Sequence, residues 1–376
     1  METGEESAHT ANVRVGPALD QHGVVRGADF ALQPGDSHAQ PMPYYSSLNP
    51  ARPEDRRTAE GLLRLRTALA AQVPAKSIDD SLLIASWNLR EFGGSKYGGR
   101  EREALFYIAE VMSHFDLVAV QEVRDDLDAL DDLMRILGGW WDYLVTDVTV
   151  GRQGNGERMA FVFDKRKINF GGLAGEVTSA MVKSGDTVSI PKAFARSPYL
   201  VGMQAGWFKF TLCTGHLYYG EDKADDPTRL AEMRELVALL NDRVNAKDRW
   251  ARNSILLGDF NIFREDDQTL AALTTVFRIP PTIKGKKTNQ SRTKPFDQIA
   301  FLSPDVGNQI ADARGDVFDY YQHVYRDADA ALYPVPEGTT FATWRSYKMS
   351  DHLLLWTEVK VDFGDEYLRK KAIAPG

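Results

Sequence analysis

The sequence predicts a layered α/β sandwich with helices outside and sheets inside. Three observations carry that expectation. Short apolar runs of strand length recur along the chain, they outnumber the segments with helical periodicity, and the helical segments fall between some of them. At 376 residues, with 43% hydrophobic and 26% charged content, the chain has the composition of an ordinary globular protein and room for one large domain or two.

Taken in order, roughly the first 50 residues are rich in Gly, Pro, Ala, Asp and His without periodicity and read as a loosely packed extension. Over 52–73, Leu62, Leu65 and Leu69 recur at helical spacing while Arg56, Arg57, Arg64 and Arg66 mark other faces. This predicts an amphipathic helix packed on the domain with a solvated basic face, in preference to a nucleic-acid-binding helix. Residues 82–87 read as a strand and 100–115 as a helix with Ala104, Leu105, Ile108, Val111, Met112 and Phe115 on one stripe. A second buried strand follows at 117–120 and a helix at 126–137. Strands at 143–150 and 159–163 are joined by a glycine-rich turn at 151–156. After Pro227, Leu230, Met233, Leu236, Val237, Leu240 and Val244 mark a long helix. Further strands are expected at 200–203, 207–214, 255–257, 298–302 and 353–361. One domain from about residue 81 to the C-terminus, preceded by an extension over 1–80, is the economical division.

Cys213 is the sole cysteine, which rules out an intramolecular disulfide and a cysteine-rich zinc site. No apolar stretch approaches the ~20 residues that cross a bilayer, and no secretory leader is visible. These features suit the cytoplasm, with secretion by another route left open. The net charge of −8 argues against a protein coated with duplex nucleic acid. A cleft that gathers carboxylates around a divalent cation would itself tilt the balance acidic, so charge does not decide the substrate.

Polar groups recur where apolar strands end: Asn88, Glu122, His216, then Asp259 and Asn261 after S-I-L-L-G. Strand alternation points Asp259 and Asn261 the same way. Asp297 precedes an apolar run, as do Asp351 and His352. One polar residue at a strand end is ordinarily a turn former or a satisfied cap. Six segments repeating the arrangement point to one place where carboxylates, amides and imidazoles crowd together.

Eight segments, in order, resemble the endonuclease/exonuclease/phosphatase superfamily and within it the deoxyribonuclease I branch. They are I-A-S-W-N-L-R-E-F-G at 84–93, F-D-L-V-A-V-Q-E-V-R at 115–124, G-E-R-M-A-F-V-F at 156–163 and F-A-R-S-P at 194–198. T-G-H at 214–216, G-D-F-N at 258–261, F-D-Q-I at 296–299 and S-D-H at 350–352 complete the set. The resemblance covers about 82–361 and implies a four-layered sandwich of two mostly antiparallel sheets flanked by helices. It also implies metal-assisted hydrolysis of a phosphate ester. Glu122 would bind the cation with Asn88 beside it, and Asp351 would help directly or through water. Mg²⁺ suits such an oxygen-only set, with Mn²⁺ as substitute, and a structural role for Ca²⁺ is left open. His352 with Asp297, and His216 with Glu157, match two histidine–carboxylate pairs able to serve as acid and base. Asp259 would orient or deprotonate the water, and Asn261 would donate to a phosphate oxygen or hold the site in register. Arg196 matches a phosphate contact, its alternative being a surface salt bridge.

For the substrate, Glu157, Arg196 and His216 together favour DNA, cut with low sequence specificity. Arg90 and the basic loop of Lys284, Lys286, Lys287, Arg292 and Lys294 could add phosphate contacts, the loop being otherwise simply solvated. The loop before Glu157 lacks the aromatic of pancreatic deoxyribonuclease, and P-F-D-Q at 295–298 departs from the inositide phosphatases. The alternatives are a phosphatase or phospholipase acting on a phosphoinositide or sphingomyelin, and a catalytically silent binding protein. Trp140-Trp141 and Tyr218-Tyr219 are candidate membrane-docking aromatics that fit a core or cleft better. The set of acids and histidines is intact, which favours an enzyme. A monomer without a protein partner is expected.

Overall fold

The computed structural model describes residues 43–148, 156–178, 194–303 and 312–373, with backbone alone for 14–15, 182–184 and 187–189. In chain order the elements are β1 (Arg14–Val15), α1 (Pro53–Gln72), β2 (Ser81–Phe92), α2 (Arg102–Ser113), β3 (Leu117–Arg124), α3 (Asp128–Leu137), β4 (Trp141–Val145), β5 (Glu157–Asp164) and β6 (Asn169–Glu176). There follow β7 (Val182–Ser184), β8 (Thr187–Ser189), β9 (Tyr199–Ala205), β10 (Phe208–His216), α4 (Pro227–Asn245), β11 (Asn253–Asp259) and α5 (Gln268–Thr274). The chain closes with β12 (Asp297–Leu302), β13 (Gly315–Phe318), α6 (Phe341–Lys348), β14 (Leu354–Lys360) and α7 (Gly364–Ala372).

Among the described residues, seven strands form one sheet in the order β1-β4-β5-β3-β2-β14-β13 and five form another in the order β12-β11-β10-β9-β6. Every neighbouring pair is antiparallel except β2 with β3 and β10 with β11, one parallel pair inside each sheet. The sheets pack face to face through a layer that includes Leu82, Ile84, Phe161, Phe210, Leu212, Ile255 and Leu355. Helices α1 to α3 cover the outer face of the larger sheet, and α4 and α5 that of the smaller. The result is the expected four-layered α/β sandwich.

Helix α1 is held by more than its apolar stripe. Leu62, Leu65 and Leu69 are buried in the same cluster as Trp87 and Phe106, and the arginines on its other faces are not simply solvated. Arg57 pairs with Glu103 at 2.6 Å and Arg66 with Glu110 at 3.3 Å, both carboxylates lying on α2, while Arg64 donates to His323 O at 2.8 Å. The expectation of a solvated basic face is corrected accordingly.

Two further departures have physical reasons. The helix expected from residue 100 starts at Arg102, because Arg100 is engaged with loop carbonyls. Strand β6, N-F-G-G-L-A-G-E, was not legible, because three glycines erase the alternating pattern. Gly171, with Gly202 on β9, makes room for Trp250, whose Cζ2 would lie 2.0 Å from a Cβ at Gly171. The turn expected over 151–156 falls outside the described residues except for Gly156, as does nearly all of the extension before residue 43.

Leu65→Ala should lower the free energy of unfolding by about 2–5 kcal/mol, the usual cost of emptying a fully buried leucine site. Chemical denaturation of the full chain measures it; a change under about 0.5 kcal/mol, typical of surface positions, would place α1 outside the cooperative core.

Candidate active site

Strand parity selects the residues that meet here. On β2, Leu83, Ala85 and Trp87 face the helices while Leu82 and Ile84 face the other sheet, so Ser86 and Asn88 continue the inner row. By the same alternation, Leu212 on β10 leads to Thr214 and His216, and Ile255 and Leu257 on β11 lead to Asp259. Ile299 and Phe301 on β12 put Asp297 on the inner face as well. The inner rows of both parallel pairs end at one edge of the sandwich, where Asn88 Nδ2 donates to Asp259 Oδ2 across the two sheets at 3.0 Å.

Local irregularities complete the set. Val120 pairs with Ala160 and Val123 with Arg158, leaving Gln121 and Glu122 together opposite one residue of β5. This bulge, with Glu122 at φ 62°, lets two consecutive side chains serve the site. Gln121 ties the sheets through Thr214 Oγ1 at 2.9 Å, and Glu122 Oε1 accepts from Asn88 Nδ2 at 2.9 Å. The other carboxylate oxygen accepts from the backbone N–H of Glu91 at 2.9 Å. Gly258 sits at φ 140°, and a Cβ there would lie 2.1 Å from Gly215 O. Only glycine lets β10 and β11 approach so closely just before His216 and Asp259, which are paired in register.

Two imidazoles face one carboxylate. His216 Nδ1 lies 2.8 Å from Glu157 and His352 Nδ1 2.8 Å from Asp297, while their Nε2 atoms lie 3.5 and 3.6 Å from Asp259 Oδ2. Burial disfavours both imidazolium forms, but the carboxylates outweigh it: Glu157 and Asp259 raise the pKa of His216, and Asp297 and Asp259 raise that of His352 well above the usual range. Burial works against ionised Glu157 too, yet His216 and then Arg196 bring it down to about 2. Asp259 is lowered by the two histidines against its burial, and burial pushes Asp297 upward. Glu122 is also pushed up, by burial and then by the negative charge of Glu157.

The remaining expected residues take specific places. Arg196 is buried, its Nε 2.9 Å and Nη2 3.1 Å from Glu157, so the surface salt bridge is excluded and the guanidinium lies beside the His216 pair. Arg90 lies 3.4 Å from Asp351, bonds Ser346 and sits over the Tyr347 ring at 4.6 Å. Asn261 does not continue the strand: β11 ends at Asp259 and Asn261 adopts φ 50°. Its N–H donates to Asp259 Oδ1 and its amide to Leu217 O, both at 2.9 Å, so the common direction expected from strand alternation is replaced by a turn around Asp259. Tyr219 lies in an aromatic group with Phe263 and Phe296, and Phe296 stacks on His352. Trp141 is core and its neighbour Trp140 is exposed.

Sequence reasoning missed Gln121, the backbone of Glu91, and Arg124, which pairs with Glu91 at 3.3 Å. The adjacent amide and acid at 121–122 were the available signal for the first, and nothing in the letters marks a backbone N–H.

Residues 85–364 match the Endonuclease/Exonuclease/phosphatase family. The chain belongs to that family. It is 27% identical to human Deoxyribonuclease-1 over 190 residues, 48% of this chain and 61% of the relative. It is 26% identical to the bovine protein of the same name over 207 residues, 53% and 67% respectively. The chain thus spans about three fifths of the length of the human relative it matches. An endonuclease/exonuclease/phosphatase family protein from Bacteroides thetaiotaomicron superposes with a TM-score of 0.50 at 18% identity, covering 75% of this chain and 98% of that one. That likeness supports the fold. Among the described residues, no helix is long and apolar enough to cross a membrane.

Among the described residues of this family member two donor groups could hold a cation. Asp259, Asp297 and His352 offer atoms within 4.8 Å of one another, but His352 already brings an imidazole between the two carboxylates. Glu122, Asn88 and Asp351 offer hard oxygen donors, and Asp351 is 43% exposed at its side chain. Glu122 is pressed by burial and by two like charges, Glu157 and Asp351, a strain that a divalent cation would relieve. The residues fit the group at Glu122.

Because Glu157 falls from an ordinary value of 4.5 to about 2, its contribution to stability is present above pH 4.5 and is lost as pH falls toward 2. Glu157→Gln should therefore show a shallower loss of stability than the parent over that window in thermal melts. Parallel pH profiles would refute the ion pair's role.

Proposed function

We propose that this chain is a divalent-metal-dependent phosphodiesterase that cuts DNA with little sequence preference. The observation that carries the reading is the convergence of His216 Nε2 and His352 Nε2 on one oxygen of Asp259, at 3.5 and 3.6 Å, with each Nδ1 fixed by its own carboxylate. Hydrolysis of a phosphodiester needs a base to take a proton from the attacking water and an acid to give one to the departing oxygen. Two imidazoles on either side of a common carboxylate, each held by its Nδ1, supply both once one of them has given up its proton and the other keeps it. Asp259, kept ionised by its two imidazole neighbours, is placed to orient the water between them. Asn261 holds Asp259 by its N–H, and Arg196 keeps Glu157 charged so that His216 retains its orientation. A cation at Glu122, with Asn88 and Asp351 beside it, would neutralise charge on the phosphoryl oxygens.

The preference for DNA rests on the Glu157–Arg196–His216 group together with the likeness to the two Deoxyribonuclease-1 proteins. The basic loop adds less than its letters suggest. Lys286 pairs with Asp316, Lys287 with Glu265, Arg292 with Asp319 and Lys294 with Asp222, so most of its charge is already balanced.

Supercoiled plasmid incubated with the full chain and Mg²⁺ or Mn²⁺ should be nicked and linearised, and a chelator should stop it. Intact plasmid alongside efficient phosphate release from a phosphoinositide would overturn the reading. His216→Ala and His352→Ala should each slow cleavage by about two or more orders of magnitude; near-parental activity would remove that histidine from its role. Glu122→Gln should shift the metal titration to higher concentration, and an unchanged titration would count against Glu122 as ligand.

A further inference from the structure

Four backbone carbonyls from two separate segments meet at the guanidinium of Arg100. Nη1 donates to Tyr347 O at 2.8 Å and Met349 O at 2.9 Å, and Nη2 to Leu89 O and Arg90 O. The first two carbonyls lie at the C-terminal end of α6, just before Ser350, Asp351 and His352. Carbonyls there lack partners within the helix, and a cation suits them. The other two belong to the turn after Asn88, in which Arg90 and Glu91 adopt φ 36° and 54°. Non-glycine residues avoid that region, so the turn must be held from outside.

What the turn accomplishes is specific. It aims the Arg90 N–H at Asn88 Oδ1 and the Glu91 N–H at Glu122 Oε2, each at 2.9 Å. On the other side, Ser350 Oγ donates to Asn88 O at 2.6 Å and accepts from the His352 N–H at 3.0 Å. Arg100 thus cross-links the two segments that bring Asn88, Glu122 and Asp351 together, without itself reaching the site.

We propose that Arg100 is a positioning residue for the cation site at Glu122, acting through the left-handed Arg90–Glu91 turn and the segment leading to Asp351. The inference rests on the reading that Glu122 and Asp351 receive a divalent cation. Only a planar fork with several donors can serve four carbonyls at once. A lysine has a single nitrogen and cannot span both segments.

The test uses full-length Arg100→Lys, Arg100→Met and Arg100→Ala, with three readouts: Mn²⁺ affinity by calorimetry, kcat and KM on plasmid, and thermal melting. Mn²⁺ affinity should fall about tenfold or more in each variant, as when a group that orients a metal ligand is lost. The kcat should fall while KM for DNA stays near the parental value, and millimolar guanidinium should partly restore Mn²⁺ affinity to Arg100→Ala. Parental Mn²⁺ affinity in a folded Arg100→Lys or Arg100→Met would overturn the proposal, as would losses that merely track the melted fraction. If the larger changes prevent folding, Arg100→Lys alone decides by the same criterion. A parental chain that binds Mn²⁺ but leaves DNA intact would defeat the nuclease reading while the affinity comparison still decides the role of Arg100; a parental chain that binds no Mn²⁺ would overturn both.

Discussion

The hydrogen-bonded amide of Asn88 joins the two halves of this molecule at the point where they must agree. Its Nδ2 donates to Glu122 on its own sheet and to Asp259 on the other, while its Oδ1 accepts from Arg90 N–H. Ionised Glu122 and Asp259 would repel each other, and a neutral amide that donates to both is the one kind of group that can stand between them without adding charge. The relative placement of the sheets is therefore read at atomic scale by one buried side chain. Deeper in the same layer, Gln121 links the sheets in a similar way, bonding Ser86 on its own sheet and Thr214 on the other.

How the convergence arises is a matter of parity. A strand with an even number of steps between its last apolar inner residue and its polar end delivers that end to the inter-sheet layer, and β2, β10, β11 and β12 all obey this. Where a strict strand would fail, the chain departs from it: Glu122 comes inward through a bulge and Asn261 through a turn. Arg90, Glu91, Glu122 and Asn261 all have positive φ, and all lie at this edge. Strain of this sort persists only where surrounding contacts over-determine it. Here those contacts are the N–H groups of Arg90, Glu91 and Asn261, each donating to a side-chain oxygen of the site.

These facts also explain what the letters could and could not say. Asn88, His216, Asp259 and Asp297 were legible because apolar strands announce their own ends, and the layered fold followed from the same strands. Strand β6 was hidden because its three glycines interrupt the alternation, one of them, Gly171, giving its place to Trp250. The direction of Asn261 escapes a reading by alternation because alternation stops where the strand stops, and a left-handed asparagine looks like any other in sequence. Arg100 reads as the first residue of a helix, which its neighbours support; its bonds to Tyr347 and Met349 depend on a segment about 250 positions away. Information of that range is carried by topology and not by local pattern.

The charge distribution gives the last step. A chain of net charge −8 gathers Glu122, Glu157, Asp259, Asp297 and Asp351 at one edge, and answers them from within by two histidines and Arg196. His216 and Arg196 account for Glu157, and the two imidazoles for Asp259 and Asp297. Glu122 is held by an amide and a backbone N–H, and burial, then the charge of Glu157, raise its affinity for a proton. A cation could sit beside Glu122, next to the partly exposed Asp351, which Arg90 pairs at 3.4 Å. Under the proposed reading, an acidic chain acting on a polyanion needs positive charge concentrated at the point of contact, and a metal held at Glu122 would supply it there while most of the basic loop at 284–294 is paired with Asp222, Glu265, Asp316 and Asp319.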